Sequence, residues 1–161
     1  LEDFFTPDYL YDFFSELYGI PTDRRDARKR MLFARFGIQE FAQVRVRDLS
    51  TGMKQKVSLV ISLVQDPEII IFDEPTNGLD ILTAKVVTDF LLDLKEQGKT
   101  IIISTHIFSL VEKICDRVGI IINGRMAACE DLRTLCGDKS LEDRFFEIYE
   151  AVNGEEENHD K

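Results

Sequence analysis

No stretch of this sequence approaches the roughly 18 consecutive apolar residues needed to cross a bilayer, and no signal-peptide pattern is visible. Any role at a membrane must therefore come through a partner. Cysteine is scarce: Cys115, Cys129 and Cys136 are odd in number and lack C-x-x-C spacing. That argues against a disulfide framework or a zinc site and fits a reducing cytosol. The most informative absence is the glycine-rich phosphate loop, G-x-x-x-x-G-K-[ST], which occurs nowhere. Gly119 and Gly124 have its glycine spacing, but Arg125 and Met126 follow. "GKT" at 98–100 has Asp93 where the first glycine belongs and leads into a strand. The chain opens on leucine, which leaves room for an upstream portion.

What is present suffices for one domain, since 161 residues bury roughly two thirds of their unfolded surface. With 20 basic and 30 acidic residues the net charge is −10, which argues against a general nucleic-acid binder. The charge is unevenly placed. Residues 22–56 carry ten bases against four acids, whereas residues 138–161 carry three against nine. Solvated helix faces account for both blocks on their own.

The first 66 residues read as helical. Thr6-Pro7 makes a cap and first turn, Leu10, Phe13, Phe14 and Leu17 recur at helical spacing, and Gly19 is a stop. A second helix is expected from Asp23 to Phe36, ending at Gly37, and a third after Gly52, ending before Asp66-Pro67. The character then changes. "EIIIF" (68–72) and "TIIIS" (100–104) are short continuous apolar runs, as expected of strands buried on both faces. Between them Val87, Phe90, Leu91 and Leu94 share one helix face that ends at Gly98. A short helix with Leu110 and Ile114 follows, and Asn123-Gly124 between apolar runs signals a hairpin. Strands alternating with helices imply parallel pairing in a layered α/β unit. A last helix is expected near 140–152, followed by a frayed acidic tail from Asn153.

Three stretches carry candidate chemistry. In "RDLSTGMKQK" (47–56), Ser50 and Gly52 precede a helix whose free N–H groups attract anions. In "IIIFDEPTNGLD", Asp73 and Glu74 end a buried strand, where ligands of open α/β sheets gather. One acid there can hold Mg²⁺, usually through water, and its neighbour can orient a nucleophilic water. Pro75 and Gly78 shape a tight loop, and Asp80 is placed to cap the next helix. In "IIISTHIF", His106 stands just past the second strand, where a shared rim with the acids would make it more than an ordinary polar residue. Taken singly, the acid pair is explained by solvation and the histidine by a local hydrogen bond.

Together and in this order, "LSTGMKQK", "IIIFDEPTNGLD" and "STH" resemble the signature motif, Walker B with D-loop, and switch histidine of ABC-type ATPases. The separations, about 20 and then about 30 residues, also fit that family. The resemblance runs from residue 1 to about 150, and "YLYDFFSELYGI" and "EKICDRVGIIINGRM" look most like ATPases of ABC-2-type exporters. It implies a partial P-loop NTPase (RecA-like) α/β core with an α-helical ABC subdomain. Residues 1–66 would be the helical subdomain with the signature motif, 67–137 the C-terminal part of the core, and 138–161 a C-terminal helix and acidic tail.

The resemblance also implies roles. Asp73 would support Mg²⁺, Glu74 would polarise the attacking water, and His106 would contact the γ-phosphate of ATP. Asn77 to Asp80 would form the D-loop at a dimer interface, and Ser50, Thr51, Gly52 and Met53 the signature turn. Thr51 and Met53 depart from the usual LSGGQ, and Ile61 stands where the family often has arginine. Walker A, the adenine-stacking aromatic and the Q-loop lie upstream in this family, so the chain reads as the portion after them. In this family two ATPase domains pair head to tail, and each signature turn closes over nucleotide bound by the other.

The implied partners are a second ATPase domain and a transmembrane permease subunit. No nucleic acid is expected, and the implied location is cytoplasmic, on the inner face of the cell membrane through the permease. The 161 residues alone are expected to be inactive as a hydrolase. Two alternatives stand beside this reading. One is a non-catalytic module that docks on a transmembrane or ATPase partner; the other is a soluble ABC ATPase acting on ribosomes or DNA.

Overall fold

The computed structural model describes residues 3–159, the last five by backbone alone. The chain forms two compact units, Leu1–Ser104 and Thr105–Lys161. In the first, α1 (Pro7–Leu17), α2 (Thr22–Phe36) and α3 (Thr51–Ser62) precede β1 (Ile69–Asp73), α4 (Ile81–Glu96) and β2 (Thr100–Ser104). Two short 3₁₀ turns, Ile38–Phe41 and Val46–Asp48, link α2 to α3.

Local chemistry sets these boundaries. The Thr6 side chain accepts a hydrogen bond from the Tyr9 amide (3.2 Å), which starts α1 with Pro7 in the first turn. Gly37 closes α2 at φ +66°, a conformation in which a side chain would be strained. The helices then bury Tyr11, Leu32, Phe36, Ile38, Val57, Val60 and Leu63. Tyr11 and Phe33 meet edge-on at 5.6 Å between ring centres, joining α1 to α2. Lys29 adds ion pairs to Asp8 (2.6 Å) and Asp12 (2.9 Å) across the same helix pair.

Phe36 connects this helical layer to the sheet layer. Its ring packs edge-on against Phe90 of α4 at 5.1 Å, while Arg35 lies over the Phe90 ring at 5.3 Å and pairs with Asp93. Only 2 % of Phe36 is exposed, so truncation empties a filled site. Phe36→Ala is expected to lower stability by about 3–5 kcal/mol, read as a reduced midpoint in urea denaturation. A midpoint within error of the parent would show that α2 and α4 do not depend on this contact.

The turn between α3 and β1 is fastened from two sides. Asp66 adopts a left-handed conformation (φ +54°) and accepts ion pairs from Arg28 of α2 (2.9 Å) and Lys99 (3.2 Å). Arg28 also donates to the Leu63 carbonyl (3.0 Å), and Lys99 reaches Glu68 (3.0 Å). Ion pairs near a surface add little to stability on their own, so the importance of these is positional. They fix where α3 leaves the helical layer and where β1 enters the sheet.

β1 and β2 pair in parallel, with Asp73 opposite Ser104 in the register. The expectation that both strands are buried on two faces is not met. Ile70 and Phe72 are buried, but Ile69 and Ile71 are 63 and 73 % exposed, and Ile102 is 53 % exposed. A two-stranded sheet presents alternate side chains to opposite faces, and within this chain one of those faces stays uncovered. The helix stripe of α1 behaves similarly. Leu10 is buried with Tyr11 and Ser15, whereas Phe13 and Leu17 of the expected apolar face lie outward.

In the second unit, β3 (Arg117–Ile122) and β4 (Arg125–Asp131) form an antiparallel hairpin around Asn123-Gly124, both at positive φ. It packs with α5 (Phe108–Ile114), α6 (Leu132–Cys136) and α7 (Leu141–His159) around Ile120, Ile122, Leu135 and Leu141. The Glu112 carboxylate accepts from the Leu141 amide (2.8 Å) and so starts α7. The expected fraying from Asn153 does not occur: the helix continues to His159, and Asn153 accepts from the Asn123 amide side chain (3.2 Å). Only Asp160 and Lys161 of the expected tail lie outside the described residues. No disulfide joins the three cysteines, and burial pushes the Cys136 thiol up.

Candidate functional site

The signature turn is built as a helix start. Ser50 is the N-cap of α3, and its hydroxyl accepts from the Met53 amide at 3.3 Å. Ser50 and Thr51 are exposed, while Gly52 and Met53 are half-buried. A methyl group added at Gly52 would meet only Leu79 Cδ2, at 3.8 Å, which is ordinary contact. Nothing within the chain therefore forbids a small side chain at Gly52.

That Leu79 contact joins two of the three motifs. A methyl group added at Gly78 would likewise lie 4.0 Å from Thr51 Cγ2. The turn at 50–53 and the loop at 77–80 thus lie side by side, although Gly52 and Leu79 are 27 positions apart in the chain. The loop is a run of tight bonds: the Asn77 amide donates to the Glu74 carbonyl (3.1 Å) and the Leu79 amide to the Thr76 carbonyl (3.3 Å). Gly78, at φ +70°, supplies the reversal. Asp80 ends it as the N-cap of α4, as its position in the sequence suggested. Thr83 donates to it twice, by hydroxyl (2.7 Å) and amide (3.0 Å). Those two bonds, the hydroxyl first, hold the Asp80 carboxyl below the usual carboxylate range. Immediately beyond, Ile81 and Leu82 are 87 and 78 % exposed.

The acid pair stands at the carboxyl end of β1, with Asp73 exposed and Glu74 half-buried. Glu74 has φ +46°, uncommon for a residue with a side chain. The surrounding bonds determine that conformation: its amide donates to the Ser104 carbonyl (2.9 Å), and its carbonyl accepts from Asn77. The Ser104 hydroxyl donates to the Asp73 carboxylate. An exposed carboxylate beside a hydroxyl and a second acid is a hard oxygen donor set, which suits Mg²⁺ shared with phosphate oxygens and water. Among the described residues no group of three or more His, Cys, Asp or Glu is placed to hold a metal by itself.

His106 belongs to the second unit, on an exposed bend just before α5. Ser50, Thr51, Gly52, Met53, Asp73, Glu74, Asn77 and Asp80 belong to the first unit and His106 to the second. Sequence reading missed Ser104 and the exposed pair Ile81-Leu82. A lone serine at a strand end carries no signal until the register sets it opposite an acid.

Residues 4–77 match the family model described as ABC transporter. The ABC transporter ATP-binding protein NatA of Bacillus subtilis is 39 % identical over 131 residues, covering 81 % of this chain and 53 % of that protein. A fluoroquinolones export ATP-binding protein of Mycobacterium tuberculosis is 36 % identical, covering 73 % of this chain and 38 % of its own length. Among solved structures, an ATP-binding subunit of an ABC transporter superposes with a TM-score of 0.86 at 28 % identity. That match covers 92 % of this chain and 64 % of the other. The chain spans about half the length, or less, of the curated relatives it matches.

Proposed function

In sequence and fold this chain is an ABC transporter ATP-binding domain with a partial P-loop NTPase core, and on that premise we propose that its signature turn closes over nucleotide held by a second ATPase domain. The observation that supports the reading is the closeness of the turn at Thr51-Gly52 to the loop at Gly78-Leu79, where an added β-carbon would come within 4.0 Å of the other segment. It sets an anion-binding helix start beside a loop that leads directly to two exposed apolar residues, Ile81 and Leu82. The 161 residues contain no G-x-x-x-x-G-K-[ST] pattern.

In this reading residues 1–66 are the helical subdomain, 67–137 the C-terminal part of the core, and 138–161 the C-terminal helix and acidic end. Ser50, Gly52 and the first amides of α3 bind the γ-phosphate of ATP, with Thr51 and Met53 completing the turn. Asn77 to Asp80 run along the dimer interface. Asp73 supports Mg²⁺, which when bound neutralises phosphate charge. Glu74 orients a water for in-line attack and accepts its proton, and His106 contacts the γ-phosphate.

The assembly couples MgATP hydrolysis to export through a transmembrane permease subunit, from the cytoplasmic face of the membrane. No described helix is long and apolar enough to cross a membrane. The export names among the relatives support that direction. A non-catalytic docking module is the second reading, favoured by the outward aromatics of α1. Phe5 stacks on Tyr9 (4.6 Å) and Tyr9 on Phe13 (6.2 Å), all three at least 39 % exposed.

The 161-residue chain by itself is expected to show no ATP hydrolysis above background. Without phosphate-loop amides and lysine, both positioning and charge stabilisation of the transferred phosphoryl group are missing. Calorimetry and phosphate release test this together. Micromolar MgATP binding, with phosphate release abolished by Glu74→Gln, would contradict the need for a second domain.

A further inference from the structure

Ser104 opens the "STH" stretch with no role assigned to it there, yet it bonds to both residues of the acid pair. Its position in the register is opposite Asp73, the last pair of the parallel ladder. Its hydroxyl donates to Asp73 Oδ1, and its carbonyl accepts from the Glu74 amide at 2.9 Å. These are separate groups of one residue acting on two neighbouring residues, on the side chain of Asp73 and on the backbone of Glu74. We propose that Ser104 is a positioning residue that sets the Asp73 carboxylate for a divalent cation while anchoring the left-handed backbone of Glu74. The inference rests on the ATPase reading above and adds a residue to it.

The physical case is a matter of freedom. Asp73 is exposed, so packing does not choose its rotamer. A hydroxyl on one carboxylate oxygen removes that freedom and leaves the second oxygen for a cation or its water. Mg²⁺ demands near-ideal octahedral geometry, which makes its site sensitive to a wandering ligand. The carbonyl bond works differently. It ties Glu74 to the neighbouring strand at the point where the chain leaves the ladder and turns to φ +46°. Serine to alanine removes the hydroxyl but keeps that carbonyl, so the two functions can be tested apart.

The test compares S104A and S104T with the parent in two settings. In the 161-residue chain, three-bond couplings measured by NMR report the χ1 distribution of Asp73. The parent and S104T are expected to hold one rotamer, and S104A to average over several. In an ATPase dimer containing this chain, S104A is expected to raise the half-saturating Mg²⁺ concentration about tenfold, with the KM for ATP unchanged and S104T restoring the parent value. Mn²⁺ binding to the dimer arrested by Glu74→Gln, followed by electron paramagnetic resonance, is expected to weaken by the same factor in S104A. An Asp73 rotamer that stays fixed in S104A would overturn the proposal, as would an unchanged Mg²⁺ dependence in a dimer that Glu74→Gln does arrest. If Glu74→Gln leaves hydrolysis untouched, the reading of Asp73 and Glu74 as the acids of the ATPase site fails and this inference with it.

Discussion

Glu74→Gln, in an ATPase dimer that supplies Walker A, is expected to reduce hydrolysis by about 10²- to 10⁴-fold while leaving ATP binding intact. The amide matches the carboxylate in size but neither accepts a proton nor orients a water through negative charge. The backbone at this position makes the substitution clean. The φ of +46° is held by the Ser104 carbonyl and the Asn77 amide, and both bonds involve main chain that the exchange does not touch. The variant is therefore expected to keep the parent fold, bind MgATP and accumulate as a nucleotide-locked dimer. Single-turnover phosphate release and size-exclusion chromatography with ATP check the two halves of this outcome. Parent-like hydrolysis by a species that stays monomeric would remove Glu74 from the chemistry.

Gly52→Asp is expected to cost at least a hundredfold in hydrolysis by a different route. The chain itself accommodates the change, because a β-carbon at Gly52 meets only Leu79 at an ordinary 3.8 Å. Thermal unfolding of the variant should accordingly stay close to that of the parent. The loss arises where the turn meets phosphate. A carboxylate some 5 Å from a γ-phosphate is repelled by about 3 kcal/mol at an intermediate effective dielectric, more than a hundredfold in rate. Normal folding combined with lost activity separates a ligand-facing glycine from a structural one. A large fall in stability would instead assign Gly52 to the packing of α3.

Most of the local structure was legible because it rests on short-range chemistry. Thr6, Ser50 and Asp80 accept from amides three residues ahead, and Gly37 adopts the left-handed conformation expected at its helix end. Asn123-Gly124 turns a hairpin for the same kind of reason. What sequence reading misjudged depends on surroundings. An unbroken run such as Ile69-Ile70-Ile71-Phe72 suggests two covered faces, yet the cover must come from elements a run cannot name. Here the odd-numbered isoleucines stay exposed. The stripe of α1 failed similarly, since periodicity identifies a face without saying what packs on it. Asn153-Gly154 resembled a helix stop, but a glycine costs only about 1 kcal/mol in a helix interior, and flanking glutamates favour continuation. For the site, the motif residues were visible as a pattern. The contact between Thr51-Gly52 and Gly78-Leu79 and the grip of Ser104 on Asp73 were not, because both depend on long-range register.

The account turns on a signature turn that serves the nucleotide of another domain, and mixing two defective chains tests that most directly. Two fusion proteins each join a Walker A-bearing segment to residues 1–161; one carries Gly52→Asp, and the other lacks the Walker A lysine. Each alone is expected to be inactive. Together, a heterodimer pairs the intact Walker A of the first chain with the intact signature turn of the second, so one of its two sites works. The predicted result is ATP hydrolysis that rises with the heterodimer fraction to about half the parent rate per dimer. Heterodimers that form on mixing but hydrolyse nothing would contradict the account.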